Sequence, residues 1–174
     1  MIPREQVTGI VLAGGLGRRM GGVDKGLVML DGRPMVARVL ERLRPQVADV
    51  LINANQNAER YAEFGYPVVR DAVGGFAGPL AGLHAGLAQL RHEYAATVPC
   101  DSPFLPADLI ARLGAGLSAR VGAQLAVAKT FDQPHPVCAV VDQVLEGQPH
   151  AFADLRKCGE VEHGVPRAIG EDSI

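Results

Sequence analysis

The sequence predicts an α/β protein in which a mostly parallel central sheet is covered by helices on both faces, a three-layer αβα arrangement. Three observations lead there. Short β-branched apolar runs alternate with helix-spaced segments of about ten residues or more, the pattern of a sheet built from crossover units. The runs are apolar throughout rather than alternating, as in strands buried on both faces. Each of the first four closes on glycine or a polar residue, and open sheets of this kind bind ligands at the carboxyl ends of their strands.

The elements follow in order. Val7–Leu12 (V-T-G-I-V-L) reads as the first buried strand and runs into a glycine-rich loop. Asp31-Gly32 is a turn dipeptide. Pro34 suits the first turn of a helix, where its missing N–H costs nothing. Met35, Val36, Val39, Leu40 and Leu43 then recur at helical spacing until Pro45. Residues 50–52 form a second core strand ending at Asn53, and a short helix is expected over 57–63. Residues 67–69 form a third strand that ends at Asp71. After a second glycine-rich stretch at 74–78, Leu80, Leu83, Leu87 and Leu90 space as one helix face. Tyr94–Pro99 is the fourth strand, ending at Asp101. Pro106 opens a helix carrying Leu109, Ile110 and Leu113, and residues 123–128 and 137–141 are two further strands. Phe152 and Leu155 suggest a helix ending near Gly159, with a polar, irregular tail beyond. No repeat, linker or low-complexity segment interrupts the chain, so residues 1–174 are expected to form one domain.

Composition narrows the function. The 174 residues are 48% apolar, enough for a core at this size, and 21% charged, which excludes the disorder signature. Five Phe, three Tyr and no Trp offer no base-stacking platform, and a net charge of −2 argues against a nucleic-acid partner. A small anion needs only a local cluster of cations, which composition leaves open. Cys100, Cys138 and Cys158 are too few and too far apart for a disulfide framework, and there is no C-x-x-C. No apolar run approaches the roughly 18 residues that span a bilayer. The first residues, Met-Ile-Pro-Arg-Glu-Gln, lack signal-peptide form. A soluble cytoplasmic protein without membrane contacts is expected.

The chemistry concentrates in residues 13–26. Glycines there allow backbone N–H groups to approach an anion closely, and Arg18, Arg19 and Lys25 add positive charge, a combination suited to a polyphosphate. The competing reading is a surface loop with solvated basic residues. A Walker loop fails because Val23 stands where its lysine belongs, and the dinucleotide fingerprint fails at Met20. No hydrolase motif is present.

Leu12-Ala13-Gly14-Gly15, Arg19-Met20-Gly21-Gly22 and Asp24-Lys25-Gly26-Leu27 together resemble the signature of the molybdenum cofactor guanylyltransferases. These are small Mg2+-dependent enzymes of the nucleotidyltransferase superfamily that join GMP to molybdopterin. The Gly14-Gly15 pair looks like the guanylyl branch; the cytidylyl branch more often carries L-A-A-G. The resemblance implies a Rossmann-like nucleotidyltransferase fold, GTP and molybdopterin as substrates, Mg2+ as metal, cofactor-assembly proteins as partners, and a monomer. It is dense from Val7 to Phe104 and fades beyond Asp142, where no N-x-N-T-P-x-D-L segment occurs.

Further residues take candidate roles beside it. A carboxylate closing a buried strand next to an anion loop can hold Mg2+, and Pro99-Cys100-Asp101-Ser102-Pro103-Phe104 resembles the family there; the alternative for Asp101 is a turn or helix cap. Asp71 resembles the family's nucleotide-contacting aspartate, against a turn residue paired with Arg70. Asn53, with donor and acceptor, can read a base edge or ribose, or is an ordinary strand-end group. Gly78-Pro79-Leu80-Ala81-Gly82 resembles a G-P-L-x-G helix entry whose N–H groups suit an anion. His135-Pro136-Val137 matches an H-P-V element on the molybdopterin side. The expected site is therefore Lys25, Arg19 and Asp101 as catalytic groups, with the metal on Asp101. Leu12, Ala13, Gly14, Gly15, Lys25, Asn53, Asp71 and Asp101 surround GTP, and Gly78, Gly82 and His135 face molybdopterin. Two alternatives stay open: a nucleotidyltransferase of the same fold using another triphosphate or acceptor, and a GTP-binding module without transfer activity.

Overall fold

The computed structural model describes residues 2–15, 23–71, 79–130, 133–142 and 158–162. Its centre is a seven-stranded sheet in the order β5-β4-β1-β6-β8-β7-β9. The strands are β1 (Val7–Leu12), β4 (Asp49–Asn53), β5 (Val68–Val69), β6 (Tyr94–Pro99), β7 (Leu125–Thr130), β8 (Gln133–Asp142) and β9 (Cys158–Glu162). β5, β4, β1 and β6 pair in parallel, and so do β7 and β9; β8 runs antiparallel to both β6 and β7. The parallel core is as expected. The reversal at β8 is an addition: β7 and β8 are joined across two residues, too short a link for a parallel crossover.

Side chains of β1 divide between two cores. Val7 and Val11 join a cluster with Val36, Val39, Leu40 and Leu43 of α1 (Met35–Leu43), Tyr61 of α2 (Ala58–Ala62), and Leu109, Ile110, Leu113 and Leu117 of α4 (Leu109–Ala119). Ile10 turns to the other face and packs with Leu83 and Leu87 of α3 (Pro79–Leu87). Strand alternation sends neighbours to opposite faces, and with helices on both the layers are αβα. Among the described residues no helix is long and apolar enough to cross a membrane.

Four local departures have physical reasons. β2 (Met29–Leu30) and β3 (Arg33–Pro34) form a small hairpin, too short to show a period in sequence. Its turn, Asp31-Gly32, has φ of 48° and 75°, the pair of left-handed residues that a two-residue hairpin needs. Pro34 thus closes β3 and precedes α1 rather than lying inside it. On α3 the buried face is Ala81, Gly82, Leu83, Ala85, Gly86 and Leu87, while Leu80 points to solvent; small residues let the helix lie close on the sheet. In the tail, residues 158–162 form β9 beside β7, where the end of a helix near Gly159 and an irregular segment beyond it were expected, because tertiary pairing outweighs weak local propensity. The Phe152–Leu155 portion of the expected helix lies outside the described residues.

Leu43 is fully buried, and its Cδ2 would stand 2.9 Å from a Cβ at Gly9 of β1, so α1 rests directly on the central strand. Leu43→Ala is expected to cost about 2–5 kcal/mol of unfolding free energy, read from the urea midpoint at unchanged slope. A midpoint equal to wild type would show that this contact does not anchor α1.

Candidate functional site

Strand register assembles the site. Leu12 pairs with Asn53 on one side and Pro99 on the other, and Asn53 pairs with Val69. The last residues of four strands therefore stand in one row. The residues just beyond them, Ala13 to Gly15, Ala54-Asn55, Asp71 and Cys100-Asp101, gather along one edge. The chain leaves β1 toward β4 and later returns on its other side as β6, the switch point where open sheets leave a crevice for ligands.

The main chain continues the ladder one residue further. Ala13 N–H donates to Asn53 O at 2.7 Å, Ala54 N–H to Val69 O at 2.9 Å, and Cys100 N–H to Leu12 O at 3.1 Å. These bonds fix the strand ends and commit the Ala13 N–H and the Leu12 carbonyl to the sheet. Gly14 is half-buried behind them, and Gly15 is exposed.

Asp71 is the hub of the β4–β5 side. Its Oδ1 accepts from Asn53 Nδ2 at 2.9 Å and its Oδ2 from Asn55 Nδ2 at 2.7 Å. Its own N–H donates to Asn55 Oδ1 at 2.9 Å, closing a reciprocal pair. Asn55 Nδ2 also reaches Gly14 O at 3.4 Å, tying this group to the glycine loop. Asn53 is 2% exposed, so its amide is directed at Asp71 and at Val69 O rather than at solvent. Gly82 lies beneath it. A Cβ there would overlap Asn53 Oδ1 and lie 2.8 Å from Asn53 Cγ and 2.9 Å from Leu12 Cδ2. Its buried place lets α3 approach Asn53 closely.

On the β1–β6 side, Lys25 opens a 3-10 turn, Lys25–Leu27, and its Nζ donates to Asp101 Oδ2 at 3.1 Å. The two side chains are 46% and 31% exposed. A pair this wet contributes about 0–1 kcal/mol to stability, so it can exchange partners with a charged ligand at little cost. Asp24 does not face the same way: its carboxylate accepts from Tyr61 Oη and Asn57 Nδ2. Burial, then the charges of Asp101 and Asp24, push the Cys100 thiol up to about 12. Burial and then Asp101 push Cys138 up to about 11, which marks β8 as a neighbour of the same carboxylate. Pairing of β6 with β8 ends at Thr97 and Ala139, so exposed His135, opposite Ala128, stands on a β7–β8 ribbon past the last ladder pair of β6.

The structure thus brings Leu12, Ala13, Gly14, Asn53 and Asp71 to one side of the edge and Lys25 with Asp101 to the other. Arg19 and Gly78 lie outside the described residues. Sequence reasoning missed Asn55, Asp24, Asn57 and Tyr61. Asn55 had a signal: two asparagines spaced i, i+2 at a strand end share a face. Among the described residues no group of three or more His, Cys, Asp or Glu could hold a metal ion. A hard cation at Asp101 would need further oxygens from substrate and water, which is how Mg2+ is usually bound, through one or two carboxylates. Ammonium, carboxylate and close-lying glycine backbone together suit a polyphosphate accompanied by a divalent ion.

Comparison with known proteins agrees with this chemistry. Residues 9–169 match the family model for the MobA-like NTP transferase domain. A molybdenum cofactor guanylyltransferase of Ralstonia nicotianae is 52% identical over 154 residues, which cover 83% of this chain and 75% of the relative. A nucleotidyl transferase from Methanothermobacter thermautotroptrophicus has a similar structure, with a TM-score of 0.71 at 19% identity, over 92% of this chain and 88% of that one. Rv0371C of Mycobacterium tuberculosis H37Rv, solved in complex with manganese, gives 0.68 at 18% identity over 92% and 91% of the two chains. At such identities the solved structures establish the fold.

Two measurements check this geometry. Asp71→Ala removes the nearer acceptor of the buried Asn53 amide and of the Asn55 amide, leaving each only a 3.4 Å carbonyl contact, so a loss of about 1–3 kcal/mol in urea unfolding is expected; an unaltered midpoint would mean the network adds no net stability. The thiolate is the form that reacts, and both raised thiols stay protonated until pH climbs to about 11 or 12. Alkylation of Cys100 and Cys138 at pH 8, mapped by peptide mass spectrometry, is therefore expected to be at least about a hundredfold slower in the folded protein than in urea. Equal rates in the two states would contradict the burial described.

Proposed function

The chain belongs to the MobA-like NTP transferase family, and we propose that it transfers GMP from GTP to the terminal phosphate of molybdopterin, releasing pyrophosphate and forming molybdopterin guanine dinucleotide. The Ralstonia relative's guanylyltransferase activity, at 52% identity, supports the substrates. The observation that carries the reading is the Lys25–Asp101 pair, 3.1 Å apart at the row of strand ends. It offers a cation for the triphosphate beside a carboxylate for the ion that accompanies it.

The reaction is an in-line displacement. A terminal phosphate oxygen of molybdopterin forms a new bond to the α-phosphorus of GTP, and the bond from that phosphorus to the bridging oxygen breaks with its electron pair leaving on pyrophosphate. The attacking oxygen is already anionic at neutral pH, so no general base is required. The protein has to align the two anions and offset their charge. Lys25 exchanges its contact with Asp101 for the phosphates, and Arg19 adds a second cation. Backbone at Leu12, Ala13, Gly14 and Gly15 frames the guanine. Asp71, oriented by Asn53 and Asn55, fixes base or ribose. Gly78, Gly82 and His135 take the acceptor side. Asp101 would hold Mg2+, and manganese bound to Rv0371C is consistent with a divalent ion in this fold. Such an ion supplies charge neutralisation on phosphate oxygens.

Pyrophosphate release with molybdopterin and Mg2+ tests the assignment across GTP, CTP, ATP and UTP. GTP is expected to be used at least about a hundredfold more efficiently than the rest, as a site that hydrogen-bonds one base rejects the others. Preference for CTP would overturn the guanylyl reading and keep nucleotidyl transfer. Asp101→Ala is expected to lower kcat by about two to three orders of magnitude, with the circular dichroism melt close to wild type; near-normal turnover would remove Asp101 from the metal role.

A further inference from the structure

The turn that carries Lys25 is held from behind. Asp24 occupies the position of a capping aspartate yet makes no side-chain cap bond to the Lys25–Leu27 turn. Its carboxylate points away and accepts from Tyr61 Oη at 2.5 Å and Asn57 Nδ2 at 2.9 Å, partners 37 and 33 residues further along. Tyr61 is fully buried in α2. Burial first, and then its bond to Asp24, push the phenol far above its ordinary range, so it remains a donor. A hydroxyl donated to a carboxylate belongs to the stronger class of hydrogen bonds.

Both donors come from one local frame. Asn57 is the N-cap of α2, with φ 51° and ψ 31°, a left-handed conformation that asparagine tolerates. Its carbonyl accepts the Tyr61 N–H at 3.1 Å. On the same turn Gly26 is buried. A Cβ there would strike Tyr61 Oη and lie 3.0 Å from Cys100 Cβ and 3.1 Å from Cys100 Sγ. The turn is therefore wedged between α2 and the residue that precedes Asp101.

We propose that Tyr61 and Asn57, acting through Asp24, are positioning residues for Lys25, an inference that rests on the nucleotidyl-transfer reading for its ligand. Lysine is long and flexible, and an ammonium that must find both Asp101 and a triphosphate loses less freedom on binding when the root of its chain is fixed. Asp24 fixes that root, and α2 fixes Asp24. None of the three touches the reacting atoms.

Tyr61→Phe keeps the ring in its slot and removes only the hydroxyl; Asn57→Gly keeps the left-handed backbone and removes only the amide. Hydrogen exchange without nucleotide reads the turn directly through the Leu27 and Val28 amides, which bond to Asp24 O at 3.1 Å and Lys25 O at 3.2 Å. Both are expected to exchange about tenfold faster in each variant, and unchanged exchange in both variants overturns the proposal. In steady-state kinetics with GTP, molybdopterin and Mg2+, KM for GTP is expected to rise about tenfold with KM for molybdopterin unchanged. In a Lys25→Ala background, Tyr61→Phe is expected to add nothing. An unaltered KM for GTP, or a penalty that adds in full to that of Lys25→Ala, overturns the proposal. Wild-type protein that ignores GTP, together with faster exchange in the variants, would overturn the guanylyl reading alone and leave the positioning role standing.

Discussion

A slip of one residue between β1 and either neighbour would dismantle the site. Leu12 pairs with Asn53 and with Pro99, and this double register brings a glycine loop, two asparagines and two aspartates to one edge. Side chains alternate along a strand, so a slipped register would also turn Val7 and Val11 away from α1 and bring Ile10 into their place. The same apolar packing that stabilises the sheet therefore holds the polar edge in alignment. Alignment of this edge is a by-product of core burial on two faces.

Once aligned, the edge uses its carboxylates in two ways. Asp71 and Asp24 are each held by amide or hydroxyl donors from other elements. Asp101 is partly exposed, and among the described residues its carboxylate pairs with the partly exposed Lys25. Carboxylates tied by several neutral donors act as fixed points, because moving them would strand the buried Asn53 amide in one case and the buried Tyr61 hydroxyl in the other. A wet ion pair is loosely held and can reorganise around phosphate. The edge thus combines a hydrogen-bonded carboxylate frame with an exchangeable charge pair, an arrangement that suits the proposed phosphoryl transfer, in which positioning and charge dominate.

Much of this was legible beforehand. β1 and β6 have the boundaries that their apolar runs suggest, and Asn53, Asp71 and Asp101 close or follow strands as expected. Lys25 and Asp101, expected in one site from the basic glycine-rich loop, the strand-end carboxylate and the family resemblance, stand 3.1 Å apart. The reversed strand β8, the β2–β3 hairpin and β9 were not legible, since two-residue strands have no period and each β9 residue depends on a β7 partner 33 positions earlier, as Leu125 pairs with Cys158. Gly82 was expected at a ligand-facing helix entry, and only the packing shows that it also sits under Asn53.

By itself the sequence determined the parallel α/β core, the glycines that follow β1, and the polar residues Asn53, Asp71 and Asp101 at or beyond strand ends. Those follow from local patterns: apolar runs, glycine spacing, and polar residues at strand ends. Tertiary structure alone decided that Asp24 faces α2 rather than the loop it precedes, that Asn55 closes a pair with Asp71, and that Tyr61 reaches a carboxylate 37 residues earlier. A side chain's donor or acceptor is written in its type, but which partner it finds depends on distances that close only when both faces of the sheet are packed.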